Sequence, residues 1–221
     1  MTPTVVVTGA NRGIGLALCN AWRGAGAKVI ATCRASSSEL DALEVEIIPG
    51  IDLLDPASSA RLRAAFESGA IDILICNAGV LTVESLDDLD FDRMEEQWQV
   101  NVLGTLRVID ALLDRLGKGS KIALLSSRMG SMADNTSGGY YGYRMSKAAL
   151  NAAGKSLAVD LKPRGIAVGI YHPGYVKTRM TRFLGELDPD LVAKNLVKRI
   201  GELNLDNSGQ FIHSDGQQLP W

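Results

Sequence analysis

Tyr143 and Lys147 stand four residues apart, in a stretch without internal proline whose apolar spacing predicts a long helix running towards Asp160. At 3.6 residues per turn the two share one helix face, one turn apart, and their polar ends can converge. A free phenol ionises only near pH ~10, so a nearby ammonium would be needed to make it a useful proton donor and acceptor at neutral pH. Taken alone, the pair is also common on solvated helix faces. Chemistry has to be argued from what the rest of the chain brings beside it.

Two further polar groups stand where a site would need them. Residues 121–127 predict a buried strand that runs into Ser126 and Ser127, and a loop rich in glycine, serine and asparagine leads from there to the helix of Tyr143. Asn101 sits in an otherwise apolar helical stretch, so its amide must either bridge backbone groups or hold a water.

The N-terminal segment has the form of a phosphate cradle. The β-branched run 4–8 predicts a strand, the turn Gly9-Ala10-Asn11-Arg12-Gly13-Ile14-Gly15 follows, and a helix ends near Gly24 and Gly26. Strand, glycine turn and helix in that order let the backbone approach a ligand closely and aim free N–H groups at an anion. The spacing G-x-x-x-G-x-G departs from the general G-x-G-x-x-G form, and a plain turn is the other reading. A second strand is expected over 28–33. Arg34 follows it, where an acidic residue would bind the ribose of NAD, and with Arg12 it could clamp a ribose phosphate, which favours NADP; otherwise both arginines are solvated loop residues.

The remaining elements repeat the pattern. Strands are expected over 46–52, 71–76, 166–171 and about 210–213, and helices over 56–67, capped by Asp55, and from the acidic run 84–96 through Asn101 to about Leu116. That acidic run reads as solvated loop and helix start. Asp188 and Pro189 begin a last helix. Alternating strands and helices give an α/β fold: a single-domain, doubly wound parallel sheet of about seven strands with helices on both faces, spanning 1–221.

Composition excludes several function classes. With 46% hydrophobic and 22% charged residues and a formal charge of -2, there is no basic stripe for nucleic acid. No apolar run is long enough for a membrane span, which points to a cytoplasmic protein. The three cysteines, Cys19, Cys33 and Cys76, have neither disulfide nor zinc spacing; no metal is expected.

Thr8-Gly9-x-x-x-Gly13-x-Gly15, Asn77-Ala78-Gly79, Asn101, Ser126-Ser127, Tyr143-x-x-x-Lys147 and Pro173-Gly174 together resemble the short-chain dehydrogenase/reductase family over nearly the whole chain. Residues 138–151 and the ending 215–221 are similar to its C-factor and sniffer-like carbonyl reductases. The resemblance implies a Rossmann fold and a catalytic set of Asn101, Ser127, Tyr143 and Lys147. Tyr143 would be general acid and base, and Lys147 would lower its pKa and hold the nicotinamide ribose. Ser127, with Ser126 as alternative, would bind the substrate oxygen, and Asn101 would position a water. NADP(H) would be held by Gly9, Asn11, Arg12, Gly13, Ile14, Gly15, Arg34, Asp52, Leu53, Asn77, Ala78, Gly79, Pro173, Gly174, Val176 and Thr178, together with Asn101, Tyr143 and Lys147. The implied activity is NADPH-dependent reduction of an aldehyde, ketone or quinone. An NADP-binding regulatory protein is the alternative, and pairing into a homodimer through residues 98–116 and 148–161 is part of the resemblance. The substrate lid, about 179–205, should be short. Met129, Met132, Tyr140 and Tyr175 either line the substrate site or pack in the core. His172 precedes Pro173, where the family more often has a small polar residue, and a structural or cofactor-adjacent role is expected for it.

Overall fold

The computed structural model describes residues 2–66 and 68–221. Seven parallel strands form one sheet: β1 (Thr4–Thr8), β2 (Lys28–Thr32), β3 (Glu46–Ile48), β4 (Ile71–Cys76), β5 (Leu116–Leu125), β6 (Ala167–His172) and β7 (Phe211–His213), in the order β3-β2-β1-β4-β5-β6-β7. The helices are α1 (Gly13–Gly24), α2 (Ser38–Asp41), α3 (Ser58–Ala65), α4 (Phe91–Trp98), α5 (Thr105–Leu112), α6 (Tyr141–Leu161) and α7 (Pro189–Glu202).

Side chains alternate across a strand, and a parallel sheet is covered on both faces, so each central strand feeds two cores. Val6, Leu74, Ile122, Leu124 and Ile170 pack with Leu62 of α3, Leu112 of α5 and Leu150 of α6. Their neighbours Val5, Val7, Ile73, Ile75 and Ala123 pack with Leu18 and Trp22 of α1 and with Val192 and Leu196 of α7. The strand order reverses between β1 and β4, which opens a crevice at their carboxyl ends. The glycine turn, Asn77-Ala78-Gly79 and the serine pair all leave the sheet along that edge.

Element boundaries differ from expectation for local reasons. β3 stops at Ile48 because Pro49 has no N–H for the ladder and Gly50 turns away at φ 75°. β2 ends one residue early, at Thr32, and β7 begins one late, at Phe211. α3 begins at Ser58 with Asp55 accepting from Ala57 N, and its expected end at Glu67 lies outside the described residues. The helix expected from the acidic run to Leu116 is interrupted: α4 passes into a wider π-type turn over Gln99–Gly104 before α5, and Leu116 already belongs to β5, paired with Ile71. β5 ends at Leu125, so both serines lie just past it. β6 is displaced by one residue, ending at His172.

Candidate active site

The glycine turn is closed by backbone proximity. Gly9 and Gly13 take φ 64° and 56°, the left-handed region glycine enters without strain. A Cβ on Gly15 would collide with the Gly9 carbonyl and come within 2.6 Å of the Asn77 amide nitrogen. Asn77 donates to Thr8 O and Gly9 O, and Thr8 Oγ1 accepts from both Asn77 N and Ala78 N at 3.0 and 3.1 Å, which locks the ends of β1 and β4 together.

Beyond the turn, α1 starts at Gly13 with no side chain capping its first N–H groups and no acidic residue in its first turn. Those donors suit an anion. Arg12 and Arg34 are exposed, and neither enters an ion pair among the described residues. Asn11 joins their two loops, donating to Ala35 O at 3.0 Å and accepting from Ser37 Oγ at 2.8 Å. The close-approach glycines, uncapped helix start and two unpaired guanidinium groups fit a dinucleotide carrying an extra phosphate.

The other expected contact residues lie on several elements. Ile14 packs on the α1 side, Leu53 is buried against Gly104, and Asp52 accepts from Leu54 N. Thr178 lies on Gly13, its methyl 3.3 Å from where a Cβ would stand. Pro173 O accepts from Ser214 Oγ, Gly174 turns at φ 98° against Leu187, and Val176 is buried.

Tyr143, Lys147, Ser127 and Asn101 are all buried at this edge. The lysine Nζ lies 5.7 Å from the tyrosine ring centroid and donates to Leu125 O at 2.8 Å. The Asn101 side chain bridges Val80 and α6: its Oδ1 accepts from Val80 N and its Nδ2 donates to Val80 O and to Ser146 Oγ. Ser146 in turn donates to Tyr143 O, so the wide turn that carries Asn101 is tied to α6 beside the tyrosine. A Cβ on Gly79 would meet both Asn101 Oδ1 and Lys147 Nζ, at 3.0 and 3.6 Å. The two serines divide: Ser126 donates to Asn151 Oδ1 and lies beneath α6, while Ser127 faces Tyr143 and accepts from Met129 N.

Burial dominates the electrostatics. It pushes the Tyr143 phenol up to about 12, against the downward pull of the Ser127 hydroxyl, and it pushes Lys147 down to about 8. The net direction for the phenol is opposite to the one expected from Lys147 alone.

Sequence reasoning missed a second polar group beside α6. The acidic run does form solvated loop and helix start, with Asp90 accepting from Arg93 N, but Glu84 is buried and contacts α6. Nothing in the run of acids distinguishes Glu84; the alternation Val80, Thr82, Glu84, which puts all three on one side of an extended segment, is the available signal.

The region expected to form a lid, about 179–205, contains a compact turn followed by α7. Residues 175–187 fold back on themselves, with Lys177 N donating to Leu187 O and Thr181 Oγ1 donating to Val176 O, before α7 begins with Asp188 as its cap. Of the four candidate lining residues, Met132 and Tyr175 are exposed and Met129 and Tyr140 half-buried, so none is a core residue.

His172 has a structural environment. Its ring packs at 5.0 Å on His213, its Nδ1 is buried without a partner among the described residues, and burial, then His213 and Arg128, hold its pKa down near 3, against Asp215. A histidine with a folded pKa below its unfolded value of about 6.5 binds its proton on unfolding. Stability is therefore complete above that value and lost as pH falls towards the folded pKa. His172→Asn is expected to flatten this acid limb, by up to ~1.4 kcal/mol per pH unit, in urea melts across that window. An unchanged slope would refute the assignment.

The family model described as short chain dehydrogenase matches residues 3–188. The chain belongs to this family. The 1-hydroxy-2-glutathionyl-2-methyl-3-butene dehydrogenase of Rhodococcus sp. (strain AD45) is 39% identical over 224 residues, covering 99% of both chains. Among solved structures, the carbonyl reductase Sniffer of D. melanogaster superimposes with a TM-score of 0.92 at 30% identity, each chain covered in full. The NADPH-bound carbonyl reductase from chicken fatty liver superimposes with a TM-score of 0.90 at 28% identity, over 100% of this chain and 99% of that one.

Proposed function

We propose that this short-chain dehydrogenase is an NADPH-dependent carbonyl reductase, with Tyr143 as its general acid and base. The observation that carries the reading is a buried phenol with a buried ammonium one turn on and a strand-end hydroxyl facing it, beside a glycine turn suited to a dinucleotide. A cofactor-binding module has no use for a buried proton donor in that place.

NADPH, when bound, supplies the hydride. Its phosphates would meet the turn Gly9–Gly15 and the start of α1, its ribose phosphate Arg12 and Arg34, and its adenine Asp52 and Leu53. Asn77, Ala78, Gly79, Pro173, Gly174, Val176 and Thr178 would hold the nicotinamide half. The protein's own work is proton handling and orientation. Ser127 donates to the substrate oxygen and fixes it near the phenol, and Tyr143 delivers its proton to that oxygen as charge develops there. Lys147 supplies the positive charge that stabilises the phenolate left behind. Asn101, its amide committed to Val80 and Ser146, acts as the brace between the wide turn and α6.

The short lid leaves Tyr175, Met180, Phe183 and Leu184 exposed around the crevice, which suits bulky, loosely specified carbonyls. The Rhodococcus relative, named for a glutathione-conjugated alcohol, places such conjugates in the panel that tests the reading. NADPH consumption should be measured with aldehydes, ketones, quinones and glutathionyl alcohols or aldehydes, with NADH beside it. Turnover well above solvent background with at least one carbonyl, and higher kcat/KM with NADPH, is expected. Tight NADPH binding without turnover across the panel would sink the proposal.

A further inference from the structure

Helix α6 carries Tyr143 in its first turn, yet nothing on α6 caps that turn. Its N-cap residue, Tyr140, is in the left-handed region at φ 53° and ψ 41°, makes no side-chain cap, and no acidic residue follows in the first turn. The cap comes from the loop after β4. Glu84, 2% exposed, accepts from Gly142 N through Oε2 at 3.2 Å, and its backbone oxygen accepts from Tyr140 N at 2.7 Å.

The carboxylate is itself held on its other side. Oε1 accepts from Thr82 Oγ1 and, at 2.9 Å, from Gln97 Nε2 of α4. Gln97 is fully buried, and its Oε1 also accepts from Thr82 N. Gly142 completes the fit, because a Cβ there would run into the Gln97 amide and Met94. The glycine next to Tyr143 is thus the position where α4, the loop and α6 come closest.

A buried carboxylate without a cation is costly to keep. Glu84 forms no ion pair among the described residues, and the groups around it, Thr82, Gln97, Met94 and Gly142, carry no charge. Its positive partner is the N-terminus of α6. At Tyr143 itself the facing groups are Lys147, of the same helix, and the neutral Ser127 from the end of β5.

We propose that Glu84 is a positioning residue for the proton donor: with Thr82 and Gln97 it fixes the first turn of α6, which carries Tyr143. The proposal rests on the catalytic reading of Tyr143, and its test separates the two.

Glu84→Gln in the full chain keeps the volume and removes the charge. Two measurements are made beside the wild type: kcat and KM with the best carbonyl, and hydrogen exchange of residues 140–146. We expect kcat for reduction to fall about ten-fold with KM for NADPH within two-fold, as fits a transition-state rather than a binding effect. Exchange at 140–146 should quicken while the rest of α6 stays protected. A folded E84Q with unchanged kcat overturns the proposal whatever its melting temperature. A wild type inactive on every carbonyl removes the catalytic reading instead, and unchanged exchange at 140–146 then overturns the positioning claim. If E84Q does not fold, Thr82→Val deletes one donor to the carboxylate and keeps its charge; kcat should fall at least about three-fold, and an unchanged kcat overturns the proposal.

Discussion

Replacing Tyr143 by Phe is expected to lower kcat for carbonyl reduction by roughly 10²–10⁴, the range found for a positioned general acid. Phenylalanine keeps the ring that packs beside Lys147 and loses only the hydroxyl. NADPH affinity, followed by fluorescence titration, should therefore stay within about two-fold, because the loss falls on a group whose interaction strengthens only as the oxygen gains charge. The wild-type pH profile gives a second signature. With the phenol pushed up to about 12 it remains protonated through neutrality, and with Lys147 pushed down to about 8 its charge is lost as pH rises through that value. Reduction should be flat below the lysine value and fall above it, while alcohol oxidation, which needs Tyr143 to accept a proton, should rise towards alkaline pH. Full activity in Tyr143→Phe would end the assignment of the phenol, and a reduction rate that climbs through pH ~8 would end that of the lysine.

The fold was legible because its strands are short apolar runs bounded by glycine, proline and asparagine. Thr4–Thr8 and Ile71–Cys76 could be placed to the residue, and each leads into a glycine-containing turn. What failed were ends and interruptions fixed by tertiary contact. The stretch from Phe91 to Leu112 reads as one uninterrupted helix. It departs from α-helical geometry at Gln99–Gly104, where the Asn101 amide reaches the Val80 backbone and Gly104 lies against Leu53. Leu116 reads as the end of that helix, but it pairs with Ile71, because the long β5 starts before its apolar part does.

The site was legible where a residue type is itself the signal. Glycines at positive φ, a tyrosine and lysine one turn apart, and a polar residue in an apolar helix each have few physical explanations. It was illegible where function depends on which of several similar residues is buried. Ser126 and Ser127 are adjacent and chemically identical, and only the docking of α6 sends one to Asn151 and leaves the other facing the phenol. Glu84 is one acid among many in its run, and its burial depends on a glycine 58 residues away. Spacing shows the proximity of Lys147 to the phenol, whereas the desolvation that raises the phenol's pKa is a property of the packed edge and is not visible in the sequence.

Removing the two guanidinium groups at the ribose end should change cofactor choice more than any other surface substitution. Each charge-assisted bond between a guanidinium and a phosphate contributes about 1.5–3 kcal/mol, or roughly 10–100-fold in affinity. Arg12→Ala and Arg34→Ala should each raise KM for NADPH by about that factor and leave KM for NADH nearly unchanged, since only the former carries the extra phosphate. Neither change threatens the turn. Arg12 sits at φ -166°, extended backbone that alanine adopts as readily, and makes no capping bond; Arg34 is exposed and in no ion pair among the described residues. Lysine at either place should restore only part of the preference, because it offers a point charge where a planar fork fits two phosphate oxygens. Salt supplies the control: the NADPH advantage should shrink as ionic strength rises in the wild type and hardly change in the double variant, whose remaining phosphate contacts are backbone donors in the glycine turn. Equal losses for NADPH and NADH in the double variant would show that the arginines support the turn rather than read the phosphate, and a wild type that favours NADH would refute the cofactor assignment outright.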